Sequence, residues 1–195
     1  MKKALFHPVT AAILLSVTMP ALAADLTPET LWRQIQTLQK THAIMPESTP
    51  YQLGSRTVDP LTTDLANGPA IRSIQQAGGL MKVHRYRDGS LLVKENYNLQ
   101  KQLVGVTAMV KVAGFDASDR NWVMAAYKPS GVPISFGKVG SCIACHALVR
   151  TQDFVFAPPP QQLLPVATWK AFFPKQEMNP KYVALLKKYP QHVVP

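Results

Sequence analysis

Hydrophobic positions recur along this chain with two different periods, and the change from one to the other organises it. Leu31, Ile35 and Leu38 recur at three-to-four spacing, with Trp32 beside them, which predicts an amphipathic helix. Thr27 is placed to cap that helix, Pro28 suits its first position, and Glu29 lies where the helix dipole favours negative charge. From Pro46 to Pro69 the pattern lapses into a polar, proline-dotted stretch anchored only by Tyr51 and Leu53, which reads as a long loop. Ile71 to Gln76 predicts a short helix ended by Gly78-Gly79.

The period then becomes two. Leu80 to Tyr86, the turn Arg87-Asp88-Gly89 and Ser90 to Tyr97 read as a hairpin. Val106 to Phe115 is the next predicted strand, with Thr107, Met109 and Lys111 alternating against Val106, Ala108, Val110 and Val112. Trp122 to Tyr127 follows, closed by the turn Pro129-Ser130-Gly131. Short turns between consecutive strands predict an antiparallel meander rather than a βαβ unit. After it come a helix near Ser141 to Val149, an extended piece Asp153-Phe154-Val155-Phe156, and a break at Pro158-Pro159-Pro160. Ala167 to Phe173 predicts a helix, and Asn179-Pro180 opens a last amphipathic one carrying Tyr182, Leu185, Leu186 and Tyr189. There is no internal repeat. The expected fold class is α+β, an antiparallel meander with helices at its N- and C-terminal ends.

The amino end carries an export signature: basic Lys2 and Lys3, an apolar run through Ala11–Leu15 and Val17, and the small-x-small pattern Ala21-Leu22-Ala23. The run is too short to span a bilayer, Pro20 interrupts it, and no second stretch is long enough. Residues 1–23 are therefore expected to be a cleaved signal peptide, with 24–195 a single soluble domain. The formal charge is +10, from 21 Lys and Arg against 11 Asp and Glu. The cations are dispersed, with no arginine-rich tract or recognisable binding motif, which argues against nucleic acid. An acidic, soluble electron-transfer partner and a merely solvated surface both remain as readings of that charge.

Chemistry concentrates in Cys142-Ile143-Ala144-Cys145-His146. Two cysteines with two residues between them and a histidine immediately after form the attachment pattern of one covalent c-type haem. On a helical turn both thiols reach one porphyrin edge, and His146 becomes the proximal iron ligand. The alternatives fare worse. A zinc site needs a second ligand pair, and the chain has no other cysteine; a thioredoxin-like pair belongs at a strand-to-helix junction of a βαβ unit. Attachment of this kind takes place on the outer side of the bacterial inner membrane, so the motif and the export signature agree on the periplasm.

With strands preceding the motif, the chain differs from helical cytochromes c. It resembles the cytochrome P-460 family, which includes hydroxylamine-oxidising cytochromes and β-sheet cytochromes c′. The resemblance rests on Arg87-Asp88-Gly89-Ser90-Leu91-Leu92-Val93-Lys94-Glu95, Asn121-Trp122 with Tyr127, Cys142 to His146, and Asp153 to Phe156, and covers residues 79–156. It implies an antiparallel sheet packed on the haem, usually a homodimer, and a nitrogen-oxide ligand or substrate. In the hydroxylamine-oxidising members the lysine at the place of Lys94 is joined covalently to the porphyrin rim. Two readings of Lys94 stand: that cross-link, or a lysine that pairs or snorkels at the sheet edge.

The oxidising members also carry a carboxylate over the open iron face. No Glu lies between Glu95 and Cys142, Asp116 and Asp119 read as turn residues, and Asp153 as fixing the turn behind the motif, so no base is assigned. Met81, His84, Met109 and Met124 are expected in the sheet, where one of them as a second axial ligand would make an electron carrier. Tyr86, Tyr97, Phe115, Trp122, Tyr127, Phe136, Phe154 and Phe156 are expected as haem wall and core, giving an apolar pocket. The function expected first is a periplasmic mono-haem cytochrome binding and oxidising hydroxylamine or nitric oxide at an open iron. The alternative is a non-catalytic nitric oxide-binding or electron-transfer cytochrome.

Overall fold

A computed structural model describes residues 26–194; the signal-peptide reading of residues 1–23 lies outside the described residues. Six strands form one sheet in sequence order, every neighbour antiparallel: β1 (Gln52–Leu53), β2 (Leu61–Ala66), β3 (Leu91–Tyr97), β4 (Leu103–Lys111), β5 (Trp122–Tyr127) and β6 (Pro133–Gly137). Among the described residues five α-helices surround it: α1 (Pro28–Lys40), α2 (Gly68–Ala77), α3 (Gly140–His146), α4 (Val166–Phe172) and α5 (Pro180–Lys188). The α+β meander is the architecture expected. Among the described residues no helix is long and apolar enough to cross a membrane.

Both sheet faces are covered. On one, Leu65, Leu91, Val93, Val106, Val110 and Val123 pack against Leu31, Ile35 and Leu38 of α1. Each such side chain contributes roughly 1.5–3 kcal/mol by leaving water. Thr27 caps α1 by accepting the Thr30 amide at 3.2 Å, and Tyr127 Oη donates to the Pro28 carbonyl at 2.9 Å. Gly131 is obligatory in its turn: its φ is +87°, and a Cβ there would lie 2.3 Å from Trp32 Nε1. On the other face, Ala66, Leu92, Met109, Trp122 and Met124 pack against Ala70 and Ile74 of α2, with Tyr86 and Phe154, and Cys142 and Ile143 of α3 lean on this cluster.

Four expectations are corrected. Residues 80–86 are not a strand. They form a 3-10 turn at Leu80–Lys82 and an irregular run in which Val83 and Tyr86 are plugs of the core. The Tyr86 amide donates to the Asp153 carboxylate at 2.6 Å, so its hydrogen bond goes to a side chain and not to a ladder. The outer partner of β3 is instead β2, taken from the stretch that reads as loop, with Asp64 opposite Lys94 and Ala66 opposite Leu92. Because both faces of β2 are covered, its sequence LTTDLA lacks the apolar–polar alternation that would mark a half-buried strand. β4 starts and stops earlier than expected, and β6 follows the Pro129-Ser130-Gly131 turn as an unforeseen edge strand. Finally, residues 153–156 are not extended, since Asp153 and Phe154 both take left-handed backbone angles, φ 55° and 68°.

Candidate functional site

Helix α3 presents Cys142, Cys145 and His146 within one and a half turns, and all three line a cavity of about 410 Å³. Its floor is the sheet face carrying Thr62, Asp64, Leu92, Lys94, Met109 and Met124; Val155 to Pro159 form part of another wall. The volume falls in the roughly 300–1,000 Å³ range of cofactor pockets.

The two thiols are free and half-buried. Burial pushes the pKa of both upwards, and for Cys145 the Lys94 charge opposes that shift. A disulfide-exchanging pair needs the reverse, a thiol whose pKa is depressed. These thiols lack the depressed pKa of an exchanging pair and open onto a cavity in which a porphyrin edge could meet both.

His146 is oriented by the chain behind it. Its Nδ1 lies 2.6 Å from the Phe154 carbonyl, which can only accept, so Nδ1 carries the proton and Nε2 is left with a lone pair. Burial lowers the imidazole pKa, the Phe154 carbonyl works against this, and the Lys94 charge lowers it further. A neutral imidazole held at Nδ1 by a backbone carbonyl has the arrangement of an axial ligand with its outer support in place.

One residue before the Phe154 carbonyl lies a buried ion pair. Lys111 Nζ and Asp153 Oδ2 are 2.6 Å apart, at 2 % and 0 % exposure. Trp122 Nε1 donates to the Asp153 carbonyl at 2.7 Å, and Arg120 stands 3.7 Å from the other carboxylate oxygen. Asp153 thus fixes the turn, as expected. Lys111 was missed as its partner; the available signal was its place in alternation with Met109, on the face that meets α3.

Lys94 sits between Asp64 and Thr107 in the cross-strand register, on the cavity floor. Its charge acts on Asp64, Cys145 and His146, so the structure gathers all four expected site residues around one space. The other candidates divide. Met109 and Met124 are buried opposite one another on the floor. Met81 and His84 are not in the sheet: Met81 is 41 % exposed and His84 is exposed against the Thr151 carbonyl, neither lining the cavity. Asp116 caps the 3-10 turn Ala117–Asp119 and Asp119 ends it; both pair with Lys138, and neither lines the cavity.

The carboxylate that sequence reasoning did not find is Asp64. Its side chain accepts from Gln52 Nε2 at 2.5 Å, while the Ser48 hydroxyl donates to Gln52 Oε1 and so orients that amide; burial lifts the Asp64 pKa, with the Lys94 charge and the Gln52 hydrogen bond opposing. It was hidden because β2 was not recognised as a strand, so nothing placed it beside Lys94. The pocket is accordingly less apolar than expected, and of the eight aromatic residues assigned to wall and core only Phe156 lines it. Phe172, Phe173 and Tyr182 supply the aromatic surface instead.

Two free thiols, a neutral imidazole with its outer nitrogen satisfied, and a cavity of adequate size fit a covalently held haem. A family described as Cytochrome P460 matches residues 32–157 of the chain. No curated protein matches it. The matched residues, well over half of the chain, contain most of α1, the whole sheet, α3 and the turn that supports His146, so the chain belongs to the cytochrome P460 family, a family of haem cytochromes.

Proposed function

We propose that this protein is an exported, periplasmic mono-haem c-type cytochrome that binds hydroxylamine or nitric oxide and oxidises it. The observation that carries the reading is the placement of Asp64 opposite Lys94 on the floor of the cavity that contains Cys142, Cys145 and His146. Cys142 and Cys145 would hold the porphyrin through two thioethers, and His146 Nε2 would ligate its iron. Haem bound there supplies a redox-active iron that accepts the substrate's electrons, which pass on to a soluble, acidic partner suited to the basic surface.

The chain's own residues do the rest. Asp64 accepts the proton that leaves hydroxylamine as it is oxidised, and burial raises its pKa toward the range where a carboxylate is an effective base. Gln52, itself held by the Ser48 hydroxyl, fixes one carboxylate oxygen and with it the orientation of the side chain. Lys94 is the residue in reach to tune or cross-link the porphyrin rim. The resemblance to hydroxylamine-oxidising relatives supports that role and a homodimeric assembly. Asp64→Asn tests the reading directly, since it keeps size and hydrogen bonding but removes the base. Oxidation of hydroxylamine should fall about 10²-fold or more, with binding of nitric oxide retained. Full activity in that variant would refute the assignment.

Met109 and Met124 support a second reading. They are the thioethers of the cavity floor, and one of them ligating the iron would make an electron carrier. Low-spin ferrous protein that becomes high-spin in Met109→Leu or Met124→Leu, and not in Asp64→Asn, would select it.

A further inference from the structure

The family match ends at residue 157, but the cavity wall continues beyond it. Leu164, Phe172, Phe173 and Tyr182 line the same space as Lys94 and His146. Their segment is fastened to the family region at both ends. Near its start, Gln162 Oε1 accepts the Ala157 amide at 2.7 Å and its Nε2 donates to Gln152. Farther on, the Asn179 amide donates to the Ser55 carbonyl at 2.8 Å and its buried side chain donates to Gly54 at 3.2 Å. The Thr57 amide donates to the Glu177 carbonyl at 3.2 Å.

The segment also has a small core of its own. Leu163, Trp169 and Tyr182 are buried, the Leu164 amide donates to Tyr182 Oη at 2.9 Å, and Leu163 pairs with Val193. Phe172 and Phe173 belong to neither main core and stay only partly buried, at the cavity. Phe173 is anchored on the segment's own core, its ring 5.2 Å from that of buried Trp169, while both phenylalanines line the cavity.

We propose that residues 158–194 are a fixed cap on the haem cavity, with Phe172 and Phe173 as its sieve. They keep water from the cofactor and admit hydroxylamine-sized or diatomic molecules in preference to larger ligands. Excluding water disfavours the additional charge of the ferric state and so raises the reduction potential. The specificity rests on the haem reading above, but the cap itself does not, because Cys142 and Cys145 report on the cavity without haem.

The test is Phe172→Ala/Phe173→Ala, with Phe172→Leu/Phe173→Leu restoring bulk as the control for folding. In haem-free protein the alanine pair should speed alkylation of Cys142 and Cys145 by a bulky maleimide about tenfold, with iodoacetamide little changed. In haem-loaded protein, where thioethers keep the cofactor in place, it should speed imidazole binding by about the same factor relative to carbon monoxide, and lower the potential. The leucine pair should behave like the parent. Maleimide labelling as expected in a chain that never acquires a covalent haem would sustain the cap and overturn the haem reading. Unchanged labelling and an unchanged imidazole-to-carbon monoxide ratio in a haem-loaded protein would overturn the cap alone.

Discussion

The Lys111–Asp153 pair gives the sharpest quantitative test, because it is fully buried and stands one residue from the carbonyl that orients His146. Asp153→Asn is the cleanest perturbation. Asparagine tolerates the left-handed backbone at φ 55° and still offers an oxygen to the Tyr86 amide, so only the charge is lost. What remains is an ammonium at 2 % exposure facing a neutral amide oxygen that it shares with the Tyr86 amide, with the Trp122 ring 4.7 Å away and no compensating charge. Removing one partner of a buried pair costs about 3–5 kcal/mol, against total stabilities of roughly 5–15 kcal/mol. Lys111→Met leaves Asp153 with the Tyr86 amide and with Arg120 at 3.7 Å, so its cost belongs near the lower end, about 3 kcal/mol. In the double variant no charge is stranded opposite a missing partner. It should cost less than the sum of the singles by about 2 kcal/mol. Urea unfolding followed by tryptophan fluorescence gives all three values, and nitrogen NMR of the His146 ring reports whether Nδ1 keeps its bond to Phe154. Single variants that each cost under about 1 kcal/mol, with no coupling between them, would refute the view that this pair holds the turn.

Other outcomes follow from the same geometry. Cys142→Ala and Cys145→Ala should each leave haem held by one thioether at most, partly extractable in acidic acetone; haem washing completely out of the unmutated protein would exclude covalent attachment. If Lys94 is joined to the porphyrin, tryptic digestion should recover its peptide with the Cys142–His146 peptide on one haem, and Lys94→Leu should restore an ordinary c-type spectrum while changing stability by no more than about 1 kcal/mol. Recovery of an unmodified Lys94 peptide from haem-loaded protein would remove the cross-link. Burial lifts the Asp64 pKa above its unfolded value, so ionising Asp64 opposes folding; the penalty is absent below about pH 3.9 and develops as pH rises through the folded value. Asp64→Asn should therefore be more stable than the parent at neutral pH and converge with it in acid. Equal thermal stability of the two across pH 4 to 8 would contradict that burial cost.

What the sequence determined by itself is what depends on residues close together along the chain. Thr27, Pro28 and the Leu31–Ile35–Leu38 spacing specify α1 because capping and amphipathic periodicity act within a few turns. Cys142, Cys145 and His146 share a face of one short helix by spacing alone, and the turns around β4 and β5 announce an antiparallel sheet. The rest was decided by pairing across distance. β2 is a strand because β3 lies beside it and both faces are covered, not because of a pattern in Leu61–Ala66. That pairing carries Asp64 from an apparent loop to a place opposite Lys94. Asp153 reads from sequence as a turn residue, but that Lys111 is its buried partner appears only when β4 and the turn after α3 enclose them. Phe172 and Phe173 are held at the cavity in part by Asn179, which is fastened to Gly54 and Ser55, residues more than a hundred positions earlier. Burial, hydrogen-bond pairing and shifted acidity are properties of what the fold brings into contact, and a linear pattern holds no record of them.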